Sequence, residues 1–485
     1  MKHTDHYQSK GMFFSGRWHY AKERERIAIS SPSTEELLGE IPQATVLDVA
    51  AAVDSASEGL RNMRKLTAWE RSALLRKVAI LVRERARLIG TLITEETGKP
   101  ITQSMGEANA AAEAIDWFAD EARRIFGLSY ESRVPGDRYI VNFDPVGIVA
   151  TFTPWNMPVL LLARKLAPAL AAGCAAISRP SNEAAGCTMA LFQCFIDAGF
   201  PLGAVNMLTG HPEIIANNLL AEPRVAKMSF TGSVPVGKQL IAQAAQSVKR
   251  VTMELGGHAP VIVHEDADID AFVAAAVQAK FRNGGQICAS PTRFYVHRAI
   301  HDKVAVGLAA GTRALRVGDP LRDETEVGPL ATRKRRVAVE QLVDDALGNG
   351  ATLMAGGRKP DAMERGFFYL PTVLAEVPPS ARAMSEEPFG PLALVNGFES
   401  VDEVIEQANG LPFGLAAYVY TRSLKLAHMT TDRLQAGVIG VNTFVASTAE
   451  TPFGGMKESG FGREGGPFAI RDYLEPKFIN LSMPA

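Results

Sequence analysis

Val225-Ala-Lys-Met-Ser-Phe230-Thr-Gly-Ser233-Val-Pro235-Val-Gly237 joins an apolar run to a Gly-Ser break and then to a stretch of helical spacing. Val225–Phe230 reads as a buried strand, and Pro235–Ala245 as a helix with proline suited to its first turn. Open backbone N–H groups at such a turn suit a pyrophosphate. Taken alone, a strand, turn and helix of this kind is only moderately specific. The same alternation continues outward. Gly147–Phe152, Cys174–Ile177 and Val205–Leu208 read as further buried strands, and Ala184–Ala198 as a helix between two of them. Strand and helix in this order predict an α/β fold, with a parallel sheet covered on both faces.

Further out, Leu47 to Gly127 is mostly helical. Arg71–Leu88 carries apolar residues at helical spacing, and Gly98-Lys99-Pro100 stops the helix that follows. Leu128–Phe143 holds a Pro-Gly-Asp turn between two strand-like runs, a hairpin too small to be stable unless it packs on something else. From about Gly256 a second alternating region begins. Its strands are expected at Phe294–His297, Leu392–Val395, Ala416–Tyr420 and Val438–Val441, with helices at Asp270–Phe281 and Val401–Ala408. A chain of 485 residues has room for two or three domains.

Composition narrows the function. Lys and Arg total 51 against 53 Asp and Glu, so the basic footprint of a nucleic-acid binder is missing. The polar start, Met1–Lys10, has no apolar signal core, and the apolar stretch Val159–Ile177 is interrupted by Arg164 and Lys165. The expectation is a cytoplasmic protein without membrane or nucleic-acid partners. Four cysteines make no disulfide framework. None has metal-ligand spacing, so no metal is expected.

Some stretches carry chemistry. In Phe281-Arg-Asn-Gly-Gly-Gln-Ile-Cys288, a cysteine follows a Gly-Gly break where the backbone can bend and present a nucleophile. A lone cysteine is more often buried and structural, which suits Cys174, Cys187 and Cys194. Met253-Glu254-Leu255-Gly-Gly257 sets a carboxylate on an apolar run. Alone it reads more readily as a surface glutamate at a strand end than as a tuned base. Thr153-Pro154-Trp155-Asn156-Met-Pro158 follows a buried-type strand, and its Asn amide is placed to donate to a developing oxyanion. The formal GxGxxG pattern at Gly460-Phe-Gly-Arg-Glu464-Gly465 is rejected as a dinucleotide fingerprint. No strand run precedes it, and no βαβ unit remains after it.

Together, Pro154-Trp-Asn-Met-Pro, Phe230-Thr-Gly-Ser, Met253-Glu-Leu-Gly-Gly, Gly285-Gln-Ile-Cys, Glu387-Pro-Phe-Gly-Pro and Pro452-Phe-Gly-Gly-Met-Lys-Glu-Ser-Gly resemble the aldehyde dehydrogenase superfamily, in its order and spacing. The resemblance spans nearly the whole chain and reverses the reading of Glu254. It implies Cys288 as the nucleophile that forms a thiohemiacetal and then a thioester. Asn156 with the Cys288 N–H would be the oxyanion hole, Glu254 the base for deacylation, and Lys165 and Glu464 a proton relay. It places the cofactor, NAD or NADP, on Thr153, Pro154, Trp155, Arg179, Ser181, Asn182, Gly232, Ser233, Leu255, Glu387 and Phe389. It further implies a Rossmann-type cofactor domain (1–125 and 146–255), an α/β catalytic domain (256–455) and a small β oligomerisation element (126–145 and 470–485), in a homodimer or homotetramer.

Two departures stand out. The adenosine-ribose motif reads Arg179-Pro-Ser181-Asn182 in place of a family Lys-Pro-Ser-Glu, with Glu183 one residue late and expected to point elsewhere, which leaves NAD and NADP both open. Ser290 occupies the place where several relatives carry a second cysteine, so no redox switch with Cys288 is expected. Phe118-Ala-Asp-Glu-Ala-Arg-Arg, Lys280-Phe-Arg-Asn, Leu411-Pro-Phe-Gly-Leu-Ala and Gly462-Arg-Glu-Gly-Gly bring the chain nearest to succinate-semialdehyde and α-ketoglutarate-semialdehyde dehydrogenases. That resemblance implies that Arg164, Arg282 and Ser447 or Thr448 hold a distal carboxylate. Succinate semialdehyde is the substrate expected first, with α-ketoglutarate semialdehyde or another carboxylated or aromatic aldehyde as the alternative. Phe444 either narrows the site or admits an aromatic tail. A CoA-acylating enzyme and a non-catalytic binding protein are the readings of other classes. The retained Glu254, Cys288 and Asn156 argue against both.

Overall fold

A computed structural model describes residues 7, 10–20 and 25–482. Apart from Tyr7 and Lys10, the polar start lies outside the described residues, as do the last three residues of the 470–485 segment. Among the described residues, no helix is long and apolar enough to cross a membrane.

An eight-stranded sheet is built around five parallel strands in the order Val205–Met207, Ala175–Pro180, Ile148–Thr153, Val225–Thr231, Arg250–Glu254. Ile148–Thr153 is buried throughout, as an unbroken apolar run requires when helices cover both faces. Chain order reverses between Ile148–Thr153 and Val225–Thr231, and ligands of such sheets bind outside the strand ends at that reversal. The turns after these two strands, Pro154–Met157 and Gly232–Ser233, therefore face a common crevice.

A seven-stranded sheet follows: Thr352–Ala355, Thr372–Ala375, Leu392–Phe398, Pro291–His297, Ala259–Val263, Ala416–Tyr420 and Val438–Val441. The expected hairpin is present as Leu128–Glu131 paired with Arg138–Pro145. The C-terminal strand Leu474–Leu481 joins it as a third strand, with Leu474 opposite Pro145 and Leu481 opposite Arg138.

The helical region divides into Val46–Met63, Ala68–Glu84, Ala86–Thr97 and Ile101–Ala122. Thr45 and Thr67 start the first two through reciprocal capping with Asp48 and Glu70. The periodic run Arg71–Leu88 is not one helix. It breaks at Arg85 (φ −100°, ψ 10°), whose guanidinium pairs with Asp197 at 2.6 Å. Gly98 ends the third helix at φ +77°, with Pro329 packed where a Cβ would stand. Gly460–Phe461, inside the rejected GxGxxG, is an edge strand antiparallel to Arg250–Glu254.

Candidate active site

Helix Ile269–Phe281 runs toward the cysteine and ends in three consecutive left-handed residues, Asn283 (φ 52°), Gly284 (φ 59°) and Gly285 (φ 72°). A Cβ on Gly285 would strike the Gly390 carbonyl, so this bend needs glycine. The bend delivers Cys288 to a cleft of about 230 Å³, which Asn156, Thr231, Glu254, Glu387 and Phe389 also line. Cys174, Cys187 and Cys194 are fully buried, whereas Cys288 is partly exposed. Burial pushes the Cys288 thiol up to about 12, the charges of Glu387 and Glu254 push the same way, and Arg164 opposes them.

Glu254 stands at the end of Arg250–Glu254. It is buried, and neither carboxylate oxygen has a hydrogen-bond partner among the described residues. A buried carboxylate without partners is rare enough to indicate a group held ready for chemistry. Burial holds its pKa well above the usual range, and the Glu464 charge adds to this. Lys165, Arg463 and Arg164 offset part of it. Behind it, buried Lys165 pairs with Glu464 and donates to Thr231 Oγ1 at 2.7 Å and Ser229 Oγ at 3.2 Å. These residues connect the cleft to the strand ends.

Asn156 Nδ2 donates to the Gln286 carbonyl at 3.1 Å, which ties the amide to the loop before Cys288. The Asn156 backbone carbonyl accepts from Lys99 Nζ at 2.7 Å and Asn283 Nδ2 at 3.0 Å. Lys99 forms a buried ion pair with Glu107. Glu107 in turn accepts the N–H groups of Val159 and Leu160, at 2.9 and 3.2 Å, at the start of helix Pro158–Ala172. One buried pair thus clamps the Pro154–Pro158 loop from below.

On the cofactor side, Gly232 and Ser233 line the cleft, and no side chain caps the N-terminus of helix Val234–Ala245 after Ser233. Leu255 is buried and hydrogen-bonded through its N–H to the Ser459 carbonyl at 3.0 Å. Glu387 accepts from the Gly257 N–H at 3.1 Å, and burial pushes its carboxyl up to about 7. A side chain at Gly256 would collide with Glu387 Oε2. Phe389 adopts φ +43°, strained for a non-glycine residue, and meets Trp155 edge to face at 5.6 Å. Arg335 braces this corner by donating to the Pro388 carbonyl at 3.1 Å.

Residues 18–479 match the aldehyde dehydrogenase family over most of the chain. The chain belongs to the aldehyde dehydrogenase family. It is 40% identical over 470 residues to an NADP(+) succinate-semialdehyde dehydrogenase of Escherichia coli, covering 97% of each chain. It is likewise 40% identical over 474 residues to a 4-(hydroxymethyl)benzenesulfonate dehydrogenase of Comamonas testosteroni, covering 98% of each. The crystal structure of a succinate-semialdehyde dehydrogenase from Burkholderia pseudomallei superposes with a TM-score of 0.95, at 38% identity and 98% coverage of both chains. As an aldehyde dehydrogenase, the chain oxidises an aldehyde to a carboxylic acid with NAD or NADP as hydride acceptor.

Of the residues expected at the substrate end of this aldehyde dehydrogenase, the fold joins two. Buried Arg164 donates through Nη2 to Ser447 Oγ at 2.6 Å, while its Nε has no partner among the described residues. Thr448 turns instead to Thr451, its N–H donating to Thr451 Oγ1 at 2.9 Å. Arg282 is exposed at the end of helix Ile269–Phe281 and does not join the Arg164–Ser447 pair. Phe444 packs among Phe272, Tyr418 and Tyr420, with ring centroids at 6.2, 5.0 and 5.0 Å, so its ring is wall. The sequence reading missed Lys99, Glu107, Asn283 and Arg335. The only signal for Glu107 is a carboxylate on the buried face of Ile101–Ala122; nothing in the sequence marks Arg335.

Proposed function

We propose that this enzyme oxidises a short aldehyde bearing a second, anionic end, with succinate semialdehyde as the substrate. The observation that carries this is Arg164: a guanidinium buried against the cysteine's surroundings, tied to Ser447, with a free Nε. A buried cation without a carboxylate hydrogen-bonded to it is costly unless an anion arrives. The two relatives support the same reading, since the name of each states an anionic substrate, a carboxylate in one and a sulfonate in the other.

Cys288, partly exposed in the cleft, gives its Sγ proton to solvent and attacks the aldehyde carbon as the thiolate, and Asn156 Nδ2 and the Cys288 N–H donate hydrogen bonds to the oxyanion that forms. A dinucleotide held in this cleft would supply the hydride acceptor that the passage from thiohemiacetal to thioester on Cys288 requires. The cleft suits that group: Gly232 and Gly256 let Phe230 and Glu387 pack tightly into its wall, Glu387 and Phe389 line it, and so do Gly232 and Ser233, at the uncapped start of helix Val234–Ala245. Glu254 then takes a proton from the attacking water and passes it towards Lys165 and Glu464. A base is superfluous for a thiol acceptor, so Glu254 favours hydrolysis over transfer to CoA. Product formation without added CoA is the check.

The three sheets support a division into a cofactor domain (1–125 and 146–255), a catalytic domain (256–455) and an oligomerisation element (126–145 and 470–485). Every residue of Leu128–Glu131 is exposed, as are Phe478 and Leu481, which suits burial in a homodimer or homotetramer. Four free cysteines suit a reducing compartment, and we assign the enzyme to the cytoplasm.

The substrate test is a ratio. Arg164→Ala is expected to lower kcat/KM for succinate semialdehyde about 10- to 100-fold relative to an uncharged aldehyde of similar length, the loss of one charge-assisted contact. Arg282→Ala, exposed and outside the Arg164–Ser447 pair, is expected to lower it less. A parallel fall for both aldehydes would make Arg164 structural and remove the anionic-substrate reading. Asn156→Ala is expected to cost roughly 10²–10³ in kcat if its amide is an oxyanion donor. A change confined to KM would count against that role.

A further inference from the structure

At the end of strand Ala175–Pro180 the chain turns through Arg179-Pro-Ser-Asn-Glu183. Thr153 pairs with Pro180, and the Ser181 N–H donates to the Thr153 carbonyl at 2.9 Å. This turn is therefore next to the strand that carries Asn156. In dinucleotide-binding sheets, a carboxylate near this place receives the ribose hydroxyls. Position 182 lacks it. Asn182 is also committed elsewhere: its Oδ1 accepts from Arg179 Nη2 at 3.3 Å and from the Gly210 N–H at 3.3 Å. Arg179 is held inward as well, donating to the Gly210 carbonyl at 3.0 Å.

The carboxylate comes from the next residue. Glu183 folds back so that Ser181 Oγ donates to its Oε2, although Glu183 itself stays exposed at the turn. Its charge is felt at Arg179, where burial lowers the guanidinium to about 10 and Glu183 opposes the shift. The sequence therefore places the acid one residue late, and the turn brings it back over Ser181.

We infer that Glu183 selects between a ribose 2′-hydroxyl and a 2′-phosphate, and favours NAD. The inference rests on the cofactor cleft assigned above. A carboxylate accepts the hydrogen bond of a 2′-hydroxyl. A phosphate in that place meets a like charge, and it can reach the Ser181 hydroxyl only by displacing Glu183. Arg179 is tied to Gly210 and Asn182 through Nη2, and its Nε, without a partner among the described residues, is buried.

The test measures Kd for NAD and for NADP by calorimetry on the full enzyme without aldehyde, then kcat/KM for both with succinate semialdehyde. Wild type is expected to favour NAD. Glu183→Gln keeps the length and an acceptor for Ser181 but removes the charge. It is expected to raise the NADP-to-NAD ratio about tenfold or more in both measurements, the scale of one charge-assisted contact. Glu183→Asp, too short to reach back over Ser181, is expected to move the ratio in the same direction. An unchanged ratio, a parallel loss for both cofactors, or a wild-type preference for NADP overturns the inference while leaving the cleft intact. Failure of wild type to bind either dinucleotide overturns the cleft assignment and the inference with it.

Discussion

Cys288→Ala is expected to abolish NAD(P)H formation, by a factor on the order of 10⁴ or more, while dinucleotide binding survives. The expectation follows from how few alternatives the site offers. The other cysteines are fully buried, and burial raises the thiols of Cys174 and Cys194 to about 11. Cys288 is itself pushed up to about 12. Its advantage is therefore position: a left-handed bend aims it into the cleft, within the field of Arg164. Removing one sulfur takes little from the walls that hold the dinucleotide, so Kd by fluorescence quenching is expected to stay within a few-fold, a small effect on the scale of binding free energy. Appreciable turnover by purified, folded Cys288→Ala enzyme would mean that the aldehyde reacts elsewhere.

Glu254→Gln is expected to separate the two halves of the reaction. A rapid burst of NAD(P)H should persist, and the steady-state rate should fall roughly 10²–10⁴-fold, the range of a lost general base. The burst is spared because the Glu254 charge opposes the Cys288 thiolate, so removing it eases the first half. The pH dependence follows from the direction of the shift. A base acts ionised, and burial holds Glu254 above the ordinary carboxylate range. In wild type the steady-state rate should therefore climb with pH through a titration well above that of a free glutamate, and that limb should vanish in Glu254→Gln. Stopped-flow absorbance gives both numbers. An intact steady-state rate would show that water is activated without this carboxylate.

The parallel sheet was legible because its strands are buried on both faces, so Val225–Phe230 and Gly147–Phe152 appear as unbroken apolar runs. Short edge strands such as Met12–Phe14 and Arg17–His19 carry no such signature, since the first depends on Val205–Met207 for a partner and the second on the first. The break at Arg85 was invisible because helical spacing continues across it, and only Asp197, far along the chain, reveals what the arginine meets. At the site, Cys288 and Asn156 announced themselves through Gly and Pro in the neighbouring turns. Glu254 did not: an apolar run ending in a glutamate describes a surface strand end equally well, and its cover comes from Gly454 and Gly460 two hundred residues later. Lys99 and Glu107 escaped for the same reason. Each is one charge in a helical region, and what makes the pair a clamp is the loop it reaches.

The last turns of the chain complete regions laid down long before them. Leu474–Leu481 closes on Arg138–Pro145, Gly460–Phe461 seals the edge beside Glu254, and Glu464 supplies the partner of Lys165, 299 positions earlier in sequence. Contacts of such separation form late, because long loops must close first. During synthesis, then, the nucleophile and its aldehyde-facing loop emerge well before the carboxylate network behind Glu254 is whole. The hairpin has no third strand until Leu474–Leu481 has emerged. A chain that stops before these segments lacks both the Lys165–Glu464 pair and the strand that completes the hairpin sheet. A product truncated before Gly460 is therefore expected to lose, together, the network behind Glu254 and the sheet proposed for oligomerisation.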